Sequence, residues 1–192
     1  MADNEIGISV GVDSNVEKFE FTEAELAEVQ KHVDKYPDPK SAVMPALWIA
    51  QNKYGWLSSG ALELVANTLN LSYAHVYGVA TFYTMYYKKP VPKYVFDVCT
   101  CFTCGELGGD DTLNAAKEYT KCDAKGFSED GLFYFRTAEC LGSCDTGPVA
   151  QITNKHYVHN LTPDSIKGVI DDLRAGKEPT YKSIPLIDQS KI

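Results

Sequence analysis

Five of the six cysteines in this 192-residue chain fall in two short segments, Cys99-Thr-Cys101-Phe-Thr-Cys104 and Cys140-Leu-Gly-Ser-Cys144. Thiolates are soft ligands suited to iron or zinc, and clustered thiols in a reducing compartment more often bind metal or do redox chemistry than form structural bridges. Cys99 and Cys104 stand in a C-x4-C spacing and Cys140 and Cys144 in C-x3-C, and Cys140 comes 36 positions after Cys104. The short spacings let one loop wrap two ligands around an iron, and the long gap lets a second loop arrive from another strand. Gly105, Gly108 and Gly109 after the first segment, and Gly142 and Gly147 around the second, permit close backbone approach and positive φ. Amides in such loops can donate to sulfur, and a helix starting soon after Cys104 would favour a thiolate there. Four thiolates on a two-iron, two-sulfide core carry a formal charge of about −2 oxidised and about −3 reduced, which favours a low potential.

Other chemistries compete for the same residues. Structural zinc prefers C-x2-C knuckles, and only Cys101/Cys104 has that spacing. The same pair reads as a C-x-x-C thiol–disulfide motif, which leaves the second loop unexplained. Buried structural thiols are the bland alternative. Three cysteines at x2 spacing, the run of bacterial cubane ferredoxins, are absent. His156 and His159 could be the histidines of a Rieske-type centre, but they are expected in a hairpin away from the cysteine loops. Cys122 reads as a free surface thiol.

The elements that must position these loops follow from periodicity. Thr22-Glu-Ala-Glu25 matches a capping box that opens a helix to about Lys35, stopped by Pro37 and Pro39. A second helix spans about Ser41 to Tyr54, with Pro45 in its first turn or at a kink and Gly55 past its end. Ser58 or Ser59 caps a third and Ser72 a fourth, so residues 22–87 form a bundle of about four helices. The aromatic run Tyr73, Tyr77, Phe82, Tyr83, Tyr86 and Tyr87 reads as core at helical spacing, with an interface as the lesser reading. After Lys88-Lys-Pro-Val-Pro92 the pattern changes. Strands are expected at 93–98 and 131–136, flanking the first cysteine loop and a helix at about 110–120. A hairpin of 149–153 and 155–159 turns at Asn154, and Thr162-Pro163 opens a last helix that ends before Gly176. The fold class is α+β. The expected divisions are a tail (1–19), a helical domain (20–90), an α/β domain (91–176) and a second tail (177–192).

Composition narrows the function. The chain is 44% apolar and 23% charged, ordinary for a globular protein, and its net charge of −8 argues against a nucleic-acid footprint. The start lacks the basic n-region of a secretory signal, and the longest apolar run, 42–50, is too short to span a bilayer. There is no Walker loop, dinucleotide fingerprint or nucleophile–base triad.

The two cysteine spacings, the phrase Glu139-Cys140-Leu-Gly-Ser-Cys144-Asp-Thr-Gly-Pro148 and the upstream phrase His75-Val-Tyr-Gly-Val-Ala-Thr-Phe-Tyr83 together resemble the thioredoxin-like [2Fe–2S] ferredoxin subunits of NADH dehydrogenases, the 24 kDa-type subunit of respiratory complex I. The likeness spans roughly residues 20–175. It implies a thioredoxin-like second domain and one [2Fe–2S] cluster on Cys99, Cys104, Cys140 and Cys144, with Cys101 outside the ligand set. It also implies an oxidoreductase subunit without a complete active site of its own. FMN and NADH would bind a flavoprotein partner, and other iron–sulfur subunits would complete the complex. The chain would work on the cytoplasmic face of the membrane, or in the mitochondrial matrix of a eukaryote. Cousins of the family serve NAD-linked hydrogenases and formate dehydrogenases.

Overall fold

In the computed structural model, which describes residues 18–177, the chain divides into two units between Val91 and Pro92. The first is helical. Thr22 Oγ1 accepts from the Glu25 amide at 3.3 Å while the Glu25 carboxylate accepts from the Thr22 amide at 2.7 Å, and this reciprocal cap starts α1, Glu23–Val33. A 3₁₀ turn over Pro39–Ala42 leads into α2, Val43–Tyr54, so Pro45 falls in the first turn, where its missing N–H costs no intrahelical bond. Gly55 leaves α2 at φ +79°, a left-handed conformation that favours glycine. Ser58 caps α3, Ser59–Leu69, and Ser72 caps α4, Tyr73–Phe82.

Leu47, Leu57, Leu62, Val65 and Val76 fill the centre of this unit. Buried Gln51 is satisfied on both sides, donating to Met85 O at 3.1 Å and accepting from the Tyr87 amide at 2.7 Å. The Tyr86 hydroxyl donates to Met44 O at 2.9 Å. These bonds fasten the chain after α4 onto α2, because an unpaired polar group there would cost about 1–3 kcal/mol. The aromatic run is therefore split. Tyr86 and Tyr87 are core, whereas Tyr73, Tyr77, Phe82 and Tyr83 are exposed, Phe82 by 79%. The helix ends at Phe82, so helical spacing does not carry through the run, and α4 buries only Val76 and Ala80.

The second unit is a four-stranded mixed sheet in the order β2-β1-β3-β4, with β1 at Tyr94–Cys99, β2 at Phe133–Ala138, β3 at Ala150–Ile152 and β4 at His156–Val158. β1 and β2 run parallel and are joined through α5, Phe102–Glu106, and α6, Gly109–Tyr119. β3 and β4 form an antiparallel hairpin in which both Thr153 and Asn154 have positive φ. Phe96, Val98, Phe133, Phe135, Ala150 and Ile152 share one sheet face and pack with Leu113 and Ala116 of α6 and with Ile166, Ile170 and Leu173 of α7, Ser165–Arg174. α7 starts at Ser165 with Asp164 at its N-cap, two residues later than Thr162-Pro163 leads one to expect; Thr162 still contributes, its Oγ1 accepting from the Ser165 amide at 3.0 Å and its carbonyl from Ile166 at 3.1 Å. Central β1 carries one buried charge, Asp97, opposite Arg136 in register and held by it through both Nε and Nη2. Among the described residues no helix is long and apolar enough to cross a membrane.

Candidate metal centre

Strand alternation decides where the first thiols go. Phe96 and Val98 point into the helical layer, so Cys99 at the end of β1 points to the other side, where it packs with Cys104 and Val149. The Cys99 amide donates to Val149 O at 2.9 Å and the Thr100 amide to Ala138 O at 3.1 Å. Cys101 then takes the N-cap position of α5, which is only five residues long, and Cys104 lies within that helix. The sequence points to a loop here and to a helix at about 110–120; that helix is present as α6, and the structure adds α5 within the loop, starting before Cys104. Cys99 and Cys104 are each 1% exposed. Burial pushes the Cys104 thiol up to about 11, with Cys99 beside it adding to the rise and the Val149 N–H opposing it. The expectation of a helix-favoured thiolate at Cys104 is thus reversed by desolvation.

Because β1 pairs with β2 in parallel, Cys99 opposite Ala138, both strands end at the same edge and the second loop starts beside the first. Gly142, at φ +76°, turns its N–H onto Cys140 Sγ at 3.4 Å. A 3₁₀ turn over Cys144–Thr146 brings Cys144 Sγ within 3.4 Å of Cys140 Sγ. Gly147 lies so close to the first pair that a Cβ there would stand 3.0 Å from Cys104 Sγ. Cys140 and Cys144 are exposed. The Gly142 N–H, and then the Cys144 thiol, draw the Cys140 pKa below that of an ordinary thiol, and Cys140 in turn raises Cys144. Cys99 and Cys101 lie near enough to add to that rise.

The thiols fit a binuclear cluster. None of the six cysteines is bridged. A separation of 3.4 Å far exceeds a disulfide bond of about 2.05 Å and approaches the roughly 3.8 Å between two sulfurs on one tetrahedral metal with bonds of ~2.3 Å. Among the described residues no three His, Cys, Asp or Glu side chains form a site for one ion. The thiols come as two pairs, one buried and one exposed, a donor set that could serve two irons with two thiolates each. The Gly142 amide already donates to one sulfur of the exposed pair. The C-x-x-C reading fares worse, since buried Cys104 shares its cluster with buried Cys99, whereas Cys101 is only partly buried beside them.

Two residues outside the cysteine loops are not where the sequence places them. Cys122 is half-buried against the α6–α7 core, within 3.2 Å of Thr120 Oγ1 and donating to Gly126 O at 3.4 Å, and burial raises its pKa. His159 is not remote from the cysteines: its Nδ1 lies 2.7 Å from Thr146 Oγ1 and 3.2 Å from Ser143 Oγ, on the second loop. A signal for this exists in the chain order. β3 begins just after that loop, so an antiparallel partner strand must return past it.

These thiol environments predict an order of reactivity. In the metal-free chain at pH 7.5, iodoacetamide should modify Cys140 first and Cys104 on the order of 100-fold more slowly, because Cys104 is buried and mostly protonated whereas Cys140 is exposed and forms thiolate at lower pH. Peptide mapping over a time course reads this order. Equal rates would mean that the buried pair does not form.

Comparison with known proteins agrees with this centre. Residues 29–174 match the family model for thioredoxin-like [2Fe–2S] ferredoxins. An NADH-quinone oxidoreductase subunit of Rickettsia bellii is 38% identical over 166 residues, covering 85% of this chain and 99% of that protein. The subunit of the same name in Mycobacterium tuberculosis H37Rv is 35% identical over 150 residues, which cover 77% of this chain and 59% of that longer protein. A crystal structure of an NAD⁺-reducing [NiFe]-hydrogenase in the air-oxidized state superposes with a TM-score of 0.57 at 18% identity, covering 68% of this chain and 23% of the hydrogenase chain, a likeness of fold alone. With the family model spanning both cysteine loops, the chain belongs to the thioredoxin-like [2Fe–2S] ferredoxin family.

Proposed function

We propose that this chain is the [2Fe–2S] electron-transfer subunit of an NADH:quinone oxidoreductase and that Cys99, Cys104, Cys140 and Cys144 hold the cluster. The observation that carries the reading is the meeting of two thiol pairs at one sheet edge, one pair sealed by Val149 and the other open to solvent. When bound, a [2Fe–2S] cluster takes up and releases one electron at a time. The protein's part is to exclude water from the side of Cys99 and Cys104 while leaving the side of Cys140 and Cys144 at the surface, where an electron donor can approach. Amide donation from Gly142 offsets part of the thiolate charge.

The sequence has no dinucleotide or Walker fingerprint, so FMN and NADH are assigned to a flavoprotein partner, with further iron–sulfur subunits in the same complex. That the relatives are named as subunits of NADH-quinone oxidoreductase supports this division of labour. It also supports a peripheral position on the face of the membrane where NADH is found, the cytoplasm or the mitochondrial matrix. The hydrogenase likeness favours a second reading, the equivalent electron-transfer part of an NAD-linked hydrogenase, at much lower identity.

The test is anaerobic purification of the chain alone and with its flavoprotein. The expected result is two irons and two sulfides per chain, an electron paramagnetic resonance (EPR) signal on chemical reduction, and reduction by NADH only when the flavoprotein is present. Zinc in place of iron would overturn the cluster, and reduction of the isolated chain by NADH would overturn the division of labour.

A further inference from the structure

The two thiol pairs are held by different forces. Cys99 and Cys104 are fixed by burial and by the end of β1. Cys140 and Cys144 are exposed, so packing does not define where their sulfurs point. What holds their loop is a row of hydrogen bonds from the chain at and after β4. The Tyr157 hydroxyl donates to Leu141 O at 3.3 Å, the Asn160 amide to Thr146 O at 2.8 Å and the Leu161 amide to Pro148 O at 2.9 Å. His159 sits in the middle of this row, its ring stacked on Tyr157 two residues earlier on the same face.

Buried Thr146 shows what His159 supplies. Its single hydroxyl proton is committed to Ser143 O at 3.2 Å, because a carbonyl can only accept. Its oxygen must then accept from its two other neighbours, Ser143 Oγ at 2.8 Å and His159 Nδ1 at 2.7 Å. One assignment satisfies all three contacts: His159 carries its proton on Nδ1 and donates to Thr146, with Ser143 Oγ as a longer second acceptor. Both bonded residues lie in the tight turn that aims Cys144 at Cys140, Ser143 directly before Cys144 and Thr146 two residues after it.

We propose that His159 is a positioning residue for the exposed ligand pair, locking the Ser143–Thr146 turn through Nδ1–H so that the Cys144 and Cys140 sulfurs keep the spacing an iron requires. The inference rests on the ligand set proposed above. It assigns no electron or proton transfer to the imidazole, which acts only through Thr146 and Ser143.

The test compares H159L, H159N and H159Q in the full chain carrying its cluster. An asparagine amide places an N–H where Nδ1–H stands, whereas glutamine places it one bond further out. H159L and H159Q are expected to release iron to a chelator on the order of 10-fold faster than the parent, the scale of losses when a ligand's supporting bond is removed, and to show displaced EPR g-values. H159N is expected to restore both. An H159L chain with the parent's release rate and g-values would overturn the proposal. So would an H159N chain as impaired as H159Q at equal melting temperature, and this comparison decides the matter if H159L fails to fold. A merely structural role would lower the melting temperature in all three without separating H159N from H159Q. A parent chain that loads no cluster would instead overturn the ligand assignment.

Discussion

Cys104→Ala should yield a chain with less than about a tenth of the parent's iron and sulfide, while Cys101→Ala should load like the parent. The contrast follows from position. Cys104 is buried against Cys99 and Val149, where neither water nor a serine oxygen can reach in to replace a lost thiolate. An iron left there with one protein ligand would be coordinatively unsaturated in an apolar pocket, and metal-site binding energy of roughly 10 kcal/mol or more depends on a complete donor set. Cys101, by contrast, is the half-exposed N-cap of α5 and makes no side-chain capping bond that its removal would break. The exposed pair should behave in between: Cys140→Ser can still offer an oxygen with solvent at hand, so a fraction of the cluster should survive. Iron and sulfide analysis with visible absorption separates the three. Loss of the cluster in Cys101→Ala with retention in Cys99→Ala would transfer the ligand role to Cys101.

Much of this is legible in the sequence because the signals are local. The Thr22/Glu25 capping box, the Ser58 and Ser72 caps, Gly55 past α2 and the turn at Asn154 each depend on a few adjacent residues, and each sits where those residues put it. The two cysteine spacings carry the site in the same way. What the sequence conceals depends on chain folding over distance. α5 is too short to show a period. The aromatic run around α4 divides into core and surface because the chain turns after Phe82 and Gln51 pulls Tyr87 inward, a contact 36 residues apart in sequence. Cys122 is half-buried because Gly126 O and Thr120 fold over it. His159 escapes a strictly local reading because its nearness follows only from chain order, the second strand of the hairpin running back past the loop that precedes the first. The expected tails at 1–19 and 177–192 lie almost wholly outside the described residues.

Gly109→Ala should cost the protein its cluster without touching a ligand, and the sign has to be argued because two effects oppose. Gly109 is the first residue of α6 and its φ is not in the left-handed region, so helix propensity alone would favour alanine by up to about 1 kcal/mol. Space decides otherwise. A Cβ at this position would stand 2.7 Å from Cys99 O and 2.8 Å from Cys104 O, distances that real Cβ atoms do not adopt. Both obstacles are backbone, so no side chain can swing aside. They also belong to the two residues whose thiols form the buried pair. Relief requires moving either α6 or the strand-to-helix turn, at the roughly 1–3 kcal/mol typical of overpacking, and either shift changes how the buried pair is seated. Gly108→Ala provides the control. At φ +94° with nothing within 4 Å of its added methyl, it should pay only backbone strain of about 1–2 kcal/mol, next door in sequence but with no thrust on either thiol. Urea denaturation should therefore show both variants destabilised by similar amounts, whereas iron content should fall only in Gly109→Ala. Equal iron retention in the two would mean that the close approach of α6 to Cys99 and Cys104 does not govern the centre, and that burial by Val149 alone holds the first pair in place.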